Sequence, residues 1–119
     1  MDAIDMLRVA TALFALTALG GIGMAGIRLG KKHNPPAWFS MGHGLLAAAG
    51  ITLLAYAFFT GDTPSPAGWA LLLFAIAAAG GAAMNLGWQW KQRPLPVPLM
   101  FVHALVAVAA FGCLFVAAF

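Results

Sequence analysis

Residues 13–24 read LFALTALGGIGM, and residues 73–84 read LFAIAAAGGAAM. The register that aligns them also aligns Lys31 with Lys91, Pro36 with Pro96 and His43 with His103, without a gap, at an offset of 60. About 18 of 59 aligned positions are identical, against roughly six expected by chance in a chain so rich in Ala, Leu and Gly. The chain therefore reads as one domain, 1–119, made of two repeats, about 1–60 and about 61–119. Each repeat carries one histidine at the same place.

Composition sets the environment. Residues are 63% hydrophobic and 8% charged. A soluble fold of this length buries too little of its surface to hide that much apolar side chain. The expected partner is a lipid bilayer. The formal charge of +3 sits in the loops, so it reports orientation and argues against a nucleic-acid ligand. The lone Cys113 rules out an internal disulfide and a cysteine-based zinc site, and reads as core filler. The start, MDAIDMLR, carries acids where a cleavable signal would carry bases, so the first apolar segment is expected to be retained, with Met1 to Arg8 as a short outer cap.

A spanning helix needs ~20 apolar residues. Four segments qualify, at about Leu7–Leu29, Trp38–Thr60, Ala67–Trp88 and Pro98–Phe119. None alternates with period two, so strands are not expected. The connections are short and Pro-containing, which predicts antiparallel neighbours and an up-down-up-down four-helix bundle. Arg28, Lys31, Lys32, Lys91 and Arg93 crowd the first and third loops, and the middle loop has no base. Loops 30–36 and 89–96 are thus expected in the cytoplasm, with both termini outside, in an inner membrane of bacterial type. Arg8 alone dissents. Two crossings per repeat make the halves parallel, with a pseudo-two-fold axis along the membrane normal.

That symmetry gives the histidines their interest. His43 and His103 each lie seven residues past a matched proline, ~10 Å into the membrane. Polar rings at such depth face the bundle interior. Met24 and Met84 fall at the same level on the other two helices. Gly20 and Gly80 stack beside those methionines, and Ala47 and Ala107 lie one turn beyond each histidine. Small residues flanking two opposed imidazoles leave volume that suits a planar macrocycle, which predicts haem b with His43 and His103 as iron ligands. Arg28 and Asn85, with Lys31, Gln89, Lys91 and Arg93, lie where haem propionates would need partners.

The segments Met41–Ala47 (MGHGLLA) and Phe101–Ala107 (FVHALVA), set on two of four membrane helices, resemble those of membrane four-helix b-type cytochromes. The resemblance spans the chain at the level of architecture. It implies haem clamped by His43 and His103 and a role in electron transfer. The chain departs from the two-haem forms, since His33 lies in a loop and no further membrane histidine remains.

Other readings stay open. Two His and two Met form a soft set suited to copper. The glycine pairs also serve close helix approach, and a chlorophyll on single histidines is a further alternative. With both axial positions filled, iron carries electrons rather than activating oxygen. A redox partner or quinone on the cytoplasmic side is then expected, or haem delivery or sensing. A stand-alone enzyme is not expected. A proton-coupled transporter lacks its buried acid, because Asp2, Asp5 and Asp62 lie near ends or in a loop. A structural or assembly subunit, in a homo- or hetero-oligomer, fits the small residues and minimal loops.

Overall fold

The computed structural model describes residues 1–119. It is all-helical: α1 (Ala3–Gly30), α2 (Ala37–Thr60), α3 (Pro66–Met84) and α4 (Val97–Ala118), with one π-helical turn, Asn85–Gln89, continuing α3. Helices α1, α2 and α4 and the joined segment Pro66–Gln89 are each long and apolar enough to cross a membrane. At 1.5 Å per residue the 22 residues of α4 span about 33 Å, enough for a hydrocarbon core of about 30 Å.

The helix starts follow local chemistry. Asp2 caps α1, its Oδ1 accepting from the Asp5 N–H at 2.8 Å. This corrects the expectation of a separate outer cap: Ala3–Arg8 forms the opening turns of α1. Pro66 is the first residue of α3, and Pro36 and Pro96 occupy the extended cap positions of α2 and α4. The loops after α1 and after the π turn each reverse through a left-handed residue, Lys32 at φ 59° and Gln92 at φ 54°. Those two positions are again 60 residues apart in the sequence.

Contacts sort the chain into two ends. At one, Arg8 Nε donates to the Ala118 carbonyl at 3.2 Å, and its guanidinium lies 5.5 Å over the Phe119 ring. The Gly61 backbone meets Ala3 so closely that a Cβ on Gly61 would lie 2.7 Å from that of Ala3. Arg8 therefore acts locally, satisfying the carboxyl end of α4 and complementing its dipole. At the other end, Asn34 bridges the two basic loops. Its Nδ2 donates to Arg93 O at 2.7 Å, and its Oδ1 accepts from Leu95 N at 2.9 Å. Arg28 Nε donates to Leu95 O at 3.1 Å, and Gln89 Nε2 to Pro35 O at 2.7 Å.

Helix α1 packs chiefly on α2 and α3 on α4; α1–α4 and α2–α3 are the lesser interfaces. The tight core lies toward the termini. Leu7, Leu54 and Leu114 are wholly buried there among alanines such as Ala10, Ala57 and Ala110. Phe14 and Phe74 stack face to face, with centroids 3.6 Å apart and planes 4° from parallel. Gly50 makes room for Phe14, since a Cβ there would lie 2.9 Å from the ring. Large apolar side chains such as Leu19, Ile22, Leu45, Leu105 and Val108 are exposed on the outside, as a lipid-facing surface requires.

Candidate functional site

The two membrane histidines are held the same way. His43 Nδ1 lies 2.9 Å from Thr17 O of α1, and His103 Nδ1 lies 2.9 Å from Ala77 O of α3. A carbonyl oxygen only accepts, so each Nδ1 carries the proton and donates it. In the neutral form each ring then keeps its lone pair on Nε2. A ligating histidine is oriented in this manner, with one nitrogen tied to the backbone and the other free.

The glycine pairs explain how the rings reach those carbonyls. Thr17 and Ala77 lie one helical turn before Gly21 and Gly81, so the ring must pass over the glycine. A Cβ on Gly21 would lie 3.2 Å from His43 Cε1, and one on Gly81 would lie 3.2 Å from His103 Cε1. Both are tighter than ordinary contact. The small residues therefore seat the imidazoles as well as bringing the helices together. Gly20 is part of the same seat, with its would-be Cβ 3.8 Å from His43 Nδ1, whereas Gly80 faces open space.

The ring centroids of His43 and His103 are 6.3 Å apart, with planes at 60°. A single metal joined to both rings by bonds of about 2 Å would set the centroids about 6 Å apart. Both histidines are partly exposed, as are Gly21, Gly81, Met24, Ala47 and Ala107. From residue 18 to 49 only Pro35 is buried, and from 78 to 109 only Met84. The imidazoles thus sit in the half of the bundle with few buried residues, each beside a surface hollow of about 200 Å³.

The remaining predicted residues divide. Met84 is buried and lines a surface hollow with His103 and Gly80; Met24 does not line the matching hollow at His43 and Gly20. Arg28 is committed through Nε to Leu95 O, and Arg93 lies 5.7 Å over the Trp88 ring. Asn85 opens the π turn, its carbonyl accepting from Trp90 N at 2.9 Å. Gln89 reaches Pro35, and its Oε1 is buried without a hydrogen-bond partner. Sequence reasoning missed the Thr17 and Ala77 carbonyls, the seating role of Gly21 and Gly81, and the Asn34 bridge. The first two had a signal: the matched glycines fall one turn past the carbonyls the rings engage.

No three or more His, Cys, Asp or Glu side chains group as a metal cluster. The donors on hand for a metal are two imidazole nitrogens, with the Met84 thioether lining the hollow at His103. Comparison with known proteins finds no matching family, no matching curated protein and no matching solved structure.

Proposed function

We propose that this chain is a membrane haem b protein, with His43 and His103 as the two iron ligands. The observation that carries the reading is the matched pair of imidazoles, each tied through Nδ1 to a backbone carbonyl, at a centroid separation of 6.3 Å. Haem bound there supplies one-electron chemistry or is itself the cargo. The protein's part is to fix both tautomers, hold the rings at one level and keep bulk water away. Carbonyls of Thr17 and Ala77 raise the basicity of the free nitrogens. Gly21 and Gly81 hold the rings in position.

The same reading takes the bundle as up-down-up-down, built by duplication, with the pseudo-two-fold axis along the membrane normal. Residues 41–50 and 101–110 support it by sharing one pattern of burial, position by position. So does the equal sequence separation, 26 residues, of the two histidine–carbonyl bonds. The basic loops with Lys31, Lys32, Lys91 and Arg93 are placed in the cytoplasm of a bacterial-type inner membrane, with both termini outside. Electrons would pass at that face to a quinone or a protein partner. Arg28, whose terminal nitrogens lie beyond the Leu95 bond, and Asn85 are the polar groups assigned to propionates in this reading.

The test is an absorption spectrum of the purified full chain. A sharp Soret band with split α and β bands on reduction is expected, and its loss in the double variant His43→Ala/His103→Ala. Colourless protein carrying copper would favour the His–Met84 side of the site instead. Colourless, metal-free protein would leave a structural subunit.

A further inference from the structure

Charge divides along this molecule. Five of the six bases, Arg28, Lys31, Lys32, Lys91 and Arg93, lie at the loop end opposite the termini. All three acids lie elsewhere: Asp2 and Asp5 begin α1, and Asp62 lies between α2 and α3. The one ion pair in the chain, Arg8 with Asp5, belongs to that other end. The basic end thus has no carboxylate of its own. Arg28 uses Nε on Leu95 O, and Arg93 lies over the Trp88 ring. Lys31, Lys32 and Lys91 are exposed and pair with nothing negative.

These bases stand on one tied platform rather than on two independent loops. Asn34 joins the loops, Nδ2 to Arg93 O and Oδ1 to Leu95 N, and Gln89 reaches Pro35. Each loop also holds one residue in the left-handed region, which disfavours residues other than glycine. They are Lys32, itself a base, and Gln92, between two bases. The fold therefore gathers like charges and supplies no countercharge.

We propose that the two loops together bind the phosphate headgroup of an anionic phospholipid. This does not rest on the haem reading. The depth of the platform favours lipid over a soluble acidic protein. Only six residues, 31–36, separate α1 from α2, and seven, 90–96, separate the π turn from α4. The bases thus stay level with the helix ends. Trp38 and Trp90 are exposed beside them, and indole rings in such positions sit among headgroups. Lysines at that level attract anionic lipid. The bound headgroup links α1–α2 to α3–α4 at the end of the bundle where few residues are buried.

The test reads tryptophan fluorescence of the Trp69→Phe full chain in phosphatidylcholine nanodiscs, where the remaining indoles, Trp38, Trp88 and Trp90, all lie at the basic end. A minor fraction of the lipid carries bromine in the upper acyl chain, on phosphatidylglycerol in one sample and on phosphatidylcholine in the other. Phosphatidylglycerol should quench more strongly at equal mole fraction, with an enrichment of about fivefold that weakens with salt. The variant Lys31→Gln/Lys32→Gln/Lys91→Gln should abolish the preference; glutamine already occupies the left-handed position at 92. Arg8→Gln, at the other end, should keep it. Asn34→Ala retains every charge but unties the loops, and should reduce the enrichment about twofold or more, which a diffuse surface charge would not do. Sodium phosphate in place of chloride at equal ionic strength should leave the quenching unchanged. Equal quenching by the two lipids, a full preference in the triple variant or in Asn34→Ala, its loss in Arg8→Gln, or displacement by free phosphate overturns the proposal.

Discussion

The half of the bundle that carries the termini and the half that carries the histidines are built from the same alphabet and bury their residues to different degrees. In the first, Leu7, Leu54 and Leu114 are wholly buried and Phe14 stacks on Phe74 at 3.6 Å. In the second, the inward residues of α1, α2 and α4 are partly exposed, and Met84 alone is buried within the α3 and α4 segments. Without a hydrophobic drive between helices in lipid, close packing is the main source of cohesion. The tight half therefore holds the bundle together. The other half holds a surface hollow at each imidazole, and the Asn34, Arg28 and Gln89 bonds tie its loop end together.

The largest break in this contrast should come from emptying the tight half. Phe14→Ala removes one member of the stack and should cost about 3 kcal/mol, read as an earlier transition in detergent unfolding. On the haem reading, the variant should keep the parent's Soret position, since the imidazoles lie in the other half. Gly50→Ala comes next. Its Cβ would lie 2.9 Å from Phe14, and overpacking of this kind costs about 1–3 kcal/mol in the same measurement.

Smaller effects sharpen the contrast. Gly21→Ala and Gly81→Ala should each displace an imidazole by a few tenths of an ångström. On the haem reading, reduced spectra should then broaden or shift, with stability changed by about 1 kcal/mol or less. Asn34→Ala removes two bonds between the basic loops and should cost about 1 kcal/mol, with faster amide exchange confined to that end. Smallest is Gly80→Ala, which meets no atom within 4 Å. It should be neutral or slightly stabilising, by less than about 1 kcal/mol, through helix propensity. Equal costs for Gly50→Ala and Gly80→Ala would erase the difference between the halves.

Much of this was legible in the sequence because lipid demands it. Four long apolar runs between Pro-containing loops leave little choice but helices, and the offset of 60 pairs His43 with His103 before any coordinate is known. The start of α1 is harder to read, because the acids Asp2 and Asp5 look like a polar overhang, whereas they cap and begin the helix. The π turn at Asn85–Gln89 left no trace, because a gapless alignment at an offset of 60 conceals one residue of extra winding. Met24 and Met84 look equivalent by spacing, yet only Met84 is buried and shares a hollow with its histidine. Phe39 in place of Leu at 99 is visible in the letters, but not its consequence.

What the residues alone determined is therefore the coarse plan: helices of spanning length and one apolar-flanked imidazole in each half of the sequence. What only the tertiary structure decided is which faces meet and how closely. These helices are apolar nearly all round, so periodicity carries no inside–outside signal when both the core and the surroundings are hydrocarbon. Side-chain volume, summed across neighbouring helices, then selects the arrangement: Phe14 over Gly50, Phe39 across Gly23, and each imidazole over a glycine onto a carbonyl of the helix beside it.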